Sequence, residues 1–156
     1  LDTLVYLKRE TDVWLEITTL LIPGKNDSDE ELTALTQWVA RELGSDVPLH
    51  FSAFHPAHRM LDTPPTPPAT LQRAHTIALK AGLNFVYLGN VHDPDGDTTF
   101  CPTCHESLIV RDWYQIERRS LAQGGHCPGC GAAIAGRFEG AVGNFGRRRI
   151  PLSLGR

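Results

Sequence analysis

Apolar positions change their period several times along the chain, and each change marks an element. Residues 13–23 read Val-Trp-Leu-Glu-Ile-Thr-Thr-Leu-Leu-Ile-Pro, the near-continuous β-branched and apolar run of a buried parallel strand. Pro23-Gly24-Lys25-Asn26-Asp27 then turns the chain. Ser28 is placed to cap a helix, and Glu31 three residues on closes a capping box. Leu32, Leu35, Trp38, Val39 and Leu43 recur on one helical face until Gly44 ends the pattern. A second strand is expected over residues 48–55, carrying Leu49, Phe51, Ala53 and Phe54. Residues 56–68 are proline-rich and irregular. Thr66 is expected to cap a third helix with prolines in its first turn, turning Leu71, Ala74, Ile77, Ala78 and Ala81 inward. Gly82 stops it, and residues 83–89 form a third strand. Upstream, Leu1, Leu4, Val5 and Lys8 share one face of an amphipathic helix.

Helices and strands in strict alternation mean βαβ units, a parallel sheet and right-handed crossovers. A closed eight-stranded barrel takes about 250 residues. The α/β region here ends near Asp97, so it holds about three parallel strands, as part of a barrel or an open sheet.

The chain changes character after Asp97. Cys101-Pro102-Thr103-Cys104 and Cys127-Pro128-Gly129-Cys130 are matching knuckles with 22 residues between them, and they use all 4 cysteines of the chain. A C-x-x-C knuckle turns two thiolates onto one cation, and two knuckles complete a tetrahedral shell of four sulfurs. Disulfides, the alternative, suit cysteine-dense secreted scaffolds, which this chain does not resemble. Zinc is the default occupant, while mononuclear iron or an auxiliary iron–sulfur cluster would use the same ligands. His105 and His126 flank the knuckles and read as bystanders once four sulfurs are available. Ser107-Leu108-Ile109-Val110 and Trp113-Tyr114-Gln115-Ile116 are expected as short strands between the knuckles, the outline of a zinc ribbon. The expected organisation is therefore 1–97 as α/β region, 98–140 as four-cysteine module, and 141–156 as a tail rich in Gly and Arg around Arg147-Arg148-Arg149.

A net charge of −3 offers no broad basic field for nucleic acid or anionic lipid. The longest apolar stretch is too short to span a bilayer. Four thiolates need reducing surroundings, so a cytoplasmic location is expected. The chain opens without Met on a helix already under way, and we expect a piece of a longer protein that has lost its N-terminal part.

Several segments in order resemble a known family. They are Trp14 to Gly24 with Asn26-Asp27, then Pro48-Leu49-His50-Phe51-Ser52-Ala53-Phe54-His55-Pro56, then Thr66-Pro67 and Val86-Tyr87-Leu88-Gly89-Asn90-Val91, ahead of the paired knuckles. Together they look like the C-terminal half of the AmmeMemoRadiSam-system radical SAM proteins, which resemble pyruvate formate-lyase activating enzymes. The resemblance implies a partial (β/α) radical SAM barrel followed by a zinc-ribbon-like module with four cysteine ligands. It implies an intact enzyme that cleaves S-adenosylmethionine at a [4Fe-4S] cluster to form a 5′-deoxyadenosyl radical. By position it assigns cofactor contacts to Ile22, Pro23, Gly24 and His55, and it implies the missing N-terminal half, with Memo-type and AMME-type proteins, as partners. The family's C-x-x-x-C-x-x-C is absent from this chain, as is its glycine-rich SAM segment, so the chain is expected to be inactive alone.

Without the family, His55 reads as a polar strand-end residue at a place where ligand crevices form, and Pro23-Gly24 as a turn. His50 reads as a satisfied structural histidine. Glu16, on an apolar strand, must be paired or face a polar cavity. Trp14 and Trp38 read as core, and His58, Arg59 and Asp62 as a solvated loop over the strand ends. The alternative function is a zinc-ribbon adaptor for protein or nucleic acid. Nucleic acid is disfavoured by the few basic residues, Arg118, Arg119 and Arg147 to Arg149.

Overall fold

The computed structural model describes residues 1–138. The expected tail, and the last two residues of the expected four-cysteine module, lie outside the described residues. The chain divides into two compact units, Leu1–Asp97 and a second that begins at Thr98.

The first unit runs α1 (Asp2–Glu10), β1 (Ile17–Leu21), α2 (Asp29–Trp38), β2 (Leu49–Ala53), α3 (Pro68–Lys80) and β3 (Val86–Gly89). The strands are parallel in the order β1-β2-β3, with Thr18 beside His50 beside Tyr87 and Leu20 beside Ser52 beside Gly89. Ser28 caps α2 as its sequence dictates, but Glu31 returns a bond to the Ser28 hydroxyl and not to its backbone amide, so half of the expected capping box forms. The Glu31 amide donates to Ser28 Oγ at 3.2 Å, and Ser28 Oγ donates to the Glu31 carboxylate at 3.0 Å. The helix then widens into a π-turn over Val39–Leu43 and stops at Gly44, whose φ of 95° suits glycine.

Period-2 burial on the strands shows which face meets the helices. Leu21, Leu49, Phe51, Ala53, Val86 and Leu88 are buried against Leu32, Val39 and Leu43 of the α2 segment and Leu71, Ala74 and Ala78 of α3. Leu4 and Val5 of α1 add to that core, whereas Leu1 is 75% exposed and takes no part in it. The other face carries Thr18, Leu20, His50, Ser52, Tyr87 and Gly89, all half-buried or exposed. Parallel sheets normally bury both faces, and this polar second face is the first unit's distinguishing feature.

Two expectations need correction here. Trp14 is not core: it precedes β1, is 36% exposed, and donates its indole N–H to Glu16 Oε1 at 2.8 Å. Thr66 does not cap α3, whose N-cap is Pro67 without a side-chain bond. It is buried, donates to the Leu21 carbonyl at 2.5 Å and accepts the Phe54 amide at 2.9 Å, so it ties the C-terminal ends of β1 and β2.

The second unit is an antiparallel sheet, β4 (Thr99–Phe100), β5 (Ser107–Asp112) and β6 (Gln115–Arg119), followed by bridges linking Ala122, His126 and Ala133. Trp113 and Tyr114, expected inside a strand, form the turn between β5 and β6 instead, with Trp113 at φ 54°. Among the described residues no helix is long and apolar enough to cross a membrane.

Candidate metal centre

Each knuckle is built by the same backbone bonds. In the first, the His105 amide donates to the Cys101 carbonyl and the Cys101 amide to the Glu106 carbonyl, both at 2.9 Å. In the second, Gly131 donates to Cys127 and Cys127 to Ala132, again at 2.9 Å. Pro102 and Pro128 fix φ at the first turn position. His105 and Gly131 supply the left-handed step that follows, at φ 59° and 76°.

The turns also aim amides at the sulfurs. Cys101 Sγ receives N–H groups from Thr103 and Cys104, and Cys104 Sγ one from Glu106. Cys127 Sγ receives those of Gly129 and Cys130, and Cys130 Sγ that of Ala132. The repeat makes the site a pseudo-twofold cup with donors that stabilise thiolate charge.

The four Sγ atoms lie within 4.8 Å of one another. Cys101 to Cys130 and Cys104 to Cys127 are each 3.6 Å apart. A disulfide needs about 2.05 Å, so all four are free thiols. A tetrahedral ion with bonds of about 2.3 Å has edges of about 3.8 Å. The short edges fall close to that value, and the donor set fits a metal ion such as zinc. Cys101 and Cys127 are buried while Cys104 and Cys130 are exposed, so one side of the cup faces solvent.

Protonation follows from the surroundings. Burial works to raise the Cys101 thiol, but the Cys104 and Thr103 amides outweigh it and lower its pKa to about 7. Burial pushes Cys127 up. Cys104 and Cys130 also end above the usual thiol value, although the Glu106 and Ala132 amides pull them down, because burial and neighbouring thiols oppose those amides. One cysteine is thus half-ionised near neutrality, and a metal must displace the protons of the others.

Glu106, which the cysteine spacing did not single out, breaks the symmetry. Its carboxylate accepts from Cys127 Sγ at 3.5 Å and lies in the space beside Gly129 where a Cβ would otherwise be. His105 is exposed outside the sulfur cluster, and His126 Nδ1 lies 3.2 Å from the Gln123 carbonyl.

The cofactor contacts expected from the resemblance sit in the first unit, directly after β1 and β2. Ile22 donates its amide to Asn26 Oδ1 at 2.8 Å, Gly24 to Asp27 Oδ1 at 2.7 Å, and Asn26 Nδ2 donates to the Leu20 carbonyl at 2.9 Å. The Pro23-Gly24 loop is therefore held by two Asx side chains, with Gly24 at φ 69°. His55 is exposed beyond β2. Asn90, at φ 62° after β3, donates to the Ala53 carbonyl at 3.1 Å. An Asn after a strand-ending Gly was the available signal for it. Glu16 and His50 pair at 2.8 Å, with the His50 ring 5.1 Å from that of Tyr87. His58, Arg59 and Asp62 are exposed.

The chain is 39% identical to the uncharacterized protein MJ0808 of Methanocaldococcus jannaschii over 129 residues. The match covers 82% of this chain but 39% of that relative's length. No protein-family model matches the chain, and no solved structure does.

Proposed function

We propose that this chain is the C-terminal portion of a radical SAM enzyme of the AmmeMemoRadiSam type: part of a (β/α) barrel followed by a structural zinc module. The observation that carries the reading is the three-stranded parallel sheet with helices packed on one face only. Its other face, bearing His50, Ser52 and Tyr87 with Glu16 beside them, has the polar character of a barrel lumen and not of a core. The greater length of the archaeal relative leaves room for the strands that would cover it.

This chain's residues do not fit the cluster. No cysteine triplet has the C-x-x-x-C-x-x-C spacing, and all four cysteines are committed to one four-sulfur cup. In this reading the [4Fe-4S] cluster comes from the N-terminal half, and with S-adenosylmethionine it would supply radical chemistry. The residues here bind and orient. Asn26 and Asp27 hold the Ile22-Pro23-Gly24 backbone at the end of β1, Thr66 and Asn90 lock the neighbouring strand ends, and His55 offers an imidazole beside them. The metal module keeps no open coordination position, so a resident zinc would stabilise and not react. A reducing, cytoplasmic location and Memo-type and AMME-type partners belong to the same proposal.

The test is the longer protein that contains this sequence, reconstituted with iron and sulfide under reducing conditions. Release of 5′-deoxyadenosine from S-adenosylmethionine supports the reading, and an upstream sequence lacking C-x-x-x-C-x-x-C would sink it.

A further inference from the structure

The two knuckles meet solvent unevenly, although their backbones repeat. Cys101 and Cys127 are 0% and 1% exposed, whereas Cys104 and Cys130 are exposed. Each knuckle thus turns its first cysteine inward and its second outward. The 3.6 Å sulfur contacts run between knuckles, Cys101 to Cys130 and Cys104 to Cys127. Each contact therefore joins the buried sulfur of one knuckle to the exposed sulfur of the other.

That arrangement suits thiol oxidation as well as metal binding. A peroxide needs an accessible sulfur, and turning the resulting sulfenic acid into a disulfide needs a second thiolate within reach. The exposed member of each pair offers the first, and its buried partner the second. A disulfide of about 2.05 Å asks each pair to close by about 1.5 Å. Glu106 reinforces the division of roles. Its carboxylate lies 3.5 Å from Cys127 Sγ, where it opposes the hydroxide that a peroxide would release there.

We propose that the cup is a peroxide-sensitive switch in which two cross-knuckle disulfides, Cys101–Cys130 and Cys104–Cys127, replace the metal ion. In each pair the exposed thiolate attacks one oxygen of hydrogen peroxide. The O–O bond breaks, a sulfenic acid forms and hydroxide leaves. The buried thiolate then attacks the sulfenic sulfur, forms the S–S bond and expels a second hydroxide. Two peroxides are reduced, four thiolates are oxidised, and the cation is left without ligands.

The exchange trades one staple for another. Links between the knuckles close the 22 residues that separate Cys104 from Cys127 and so hold the β5–β6 hairpin as the metal does. Links inside each knuckle would leave the two ends of that hairpin unjoined, in a unit whose buried core is too small to stand alone. The proposal goes beyond the enzyme reading and does not depend on it, because the zinc-loaded chain alone carries the cup.

The experiment treats the zinc-loaded full chain with hydrogen peroxide, follows free zinc with a chromophoric indicator, and maps disulfides after trypsin without reduction. Trypsin cuts after Arg111, Arg118 and Arg119, so only a cross-knuckle link keeps the two cysteine peptides together, and fragment spectra assign the pairs. Loss of the zinc is expected, with two peroxides consumed for each ion freed and both named links formed. Amide-exchange protection in β5 should persist in the oxidised, zinc-free chain, and dithiothreitol should restore zinc binding. Links inside either knuckle, the pairing of Cys101 with Cys127, sulfinic acids in place of disulfides, zinc retained under excess peroxide, or β5 protection lost on oxidation would each overturn the proposal.

Discussion

His105 and Gly131 hold the same place in the two knuckles. Each follows the second cysteine of its pair, lies in the left-handed region at φ 59° or 76°, and donates its amide to the first cysteine's carbonyl at 2.9 Å. Only one of the two is a glycine. A side chain in that conformation costs about 1–2 kcal/mol. Gly131→Ala should therefore weaken zinc binding roughly tenfold in competition with a chromophoric chelator. His105→Gly should change affinity little or strengthen it, since glycine's unfolded-state freedom offsets part of the relieved strain. A large loss in His105→Gly would mean that the imidazole does more than accompany the turn.

The thiol environments set a pH dependence. Cys101 ionises at about 7, while Cys104, Cys127 and Cys130 remain protonated beyond the usual thiol range without metal. Zinc binds four thiolates, so its apparent affinity must rise with pH as fewer protons have to be displaced. Below about pH 7 binding releases about four protons, and above it about three. Calorimetry in buffers of different ionisation enthalpy counts them. A release that stays constant across neutrality would refute the assignment of the low value to one cysteine.

Thr66 offers a test in the first unit. Its buried hydroxyl serves both the Leu21 carbonyl and the Phe54 amide. Thr66→Val keeps the shape and orphans both partners, at about 1–3 kcal/mol for each unsatisfied group. The first unit's melting temperature should fall by roughly 8 °C or more. Thr66→Ser, which retains the hydroxyl, should lose far less. A Thr66→Val chain that melts with the parent, or a Thr66→Ser chain that loses more than Thr66→Val, would show that the hydroxyl's two bonds do not hold the strand ends together.

Much of the fold was legible because burial imposes a period. Leu49, Phe51 and Ala53 alternate inward on β2, and Ser28 caps α2 where its sequence sits. The sulfur cup was legible because both knuckles carry their ligands within four residues. The misreadings share one cause, since local propensity does not report what lies opposite. Trp14 extends the apolar run of β1, but β1 is an edge strand and the indole stays partly exposed, bonded to Glu16. Thr66 sits where a helix cap should be, yet two strand ends compete for its hydroxyl and win. Trp113 and Tyr114 have strong strand propensity, and the pairing of Asp112 with Gln115 forces them into the turn. Glu106 had no sequence signal, because its role depends on the empty space at Gly129 in the other knuckle.

Removing the metal should separate the two units. The buried side chains described in the second are Leu108, Ile109, Ile134, Cys101 and Cys127, with Thr98 and Thr99. That is too small a core to stabilise a fold of this size without a staple. Structural zinc supplies about 10–16 kcal/mol of apparent binding energy in comparable peptides. The first unit instead rests on its own apolar cluster around Phe51 and Leu71. A strong chelator should therefore abolish amide-exchange protection in β5 and β6 and leave it in β2 and α3. Returning one equivalent of zinc should restore it. Loss of protection throughout the chain on chelation would show that the first unit depends on the metal as well, and protection unchanged in β5 would show that the hairpin needs no metal.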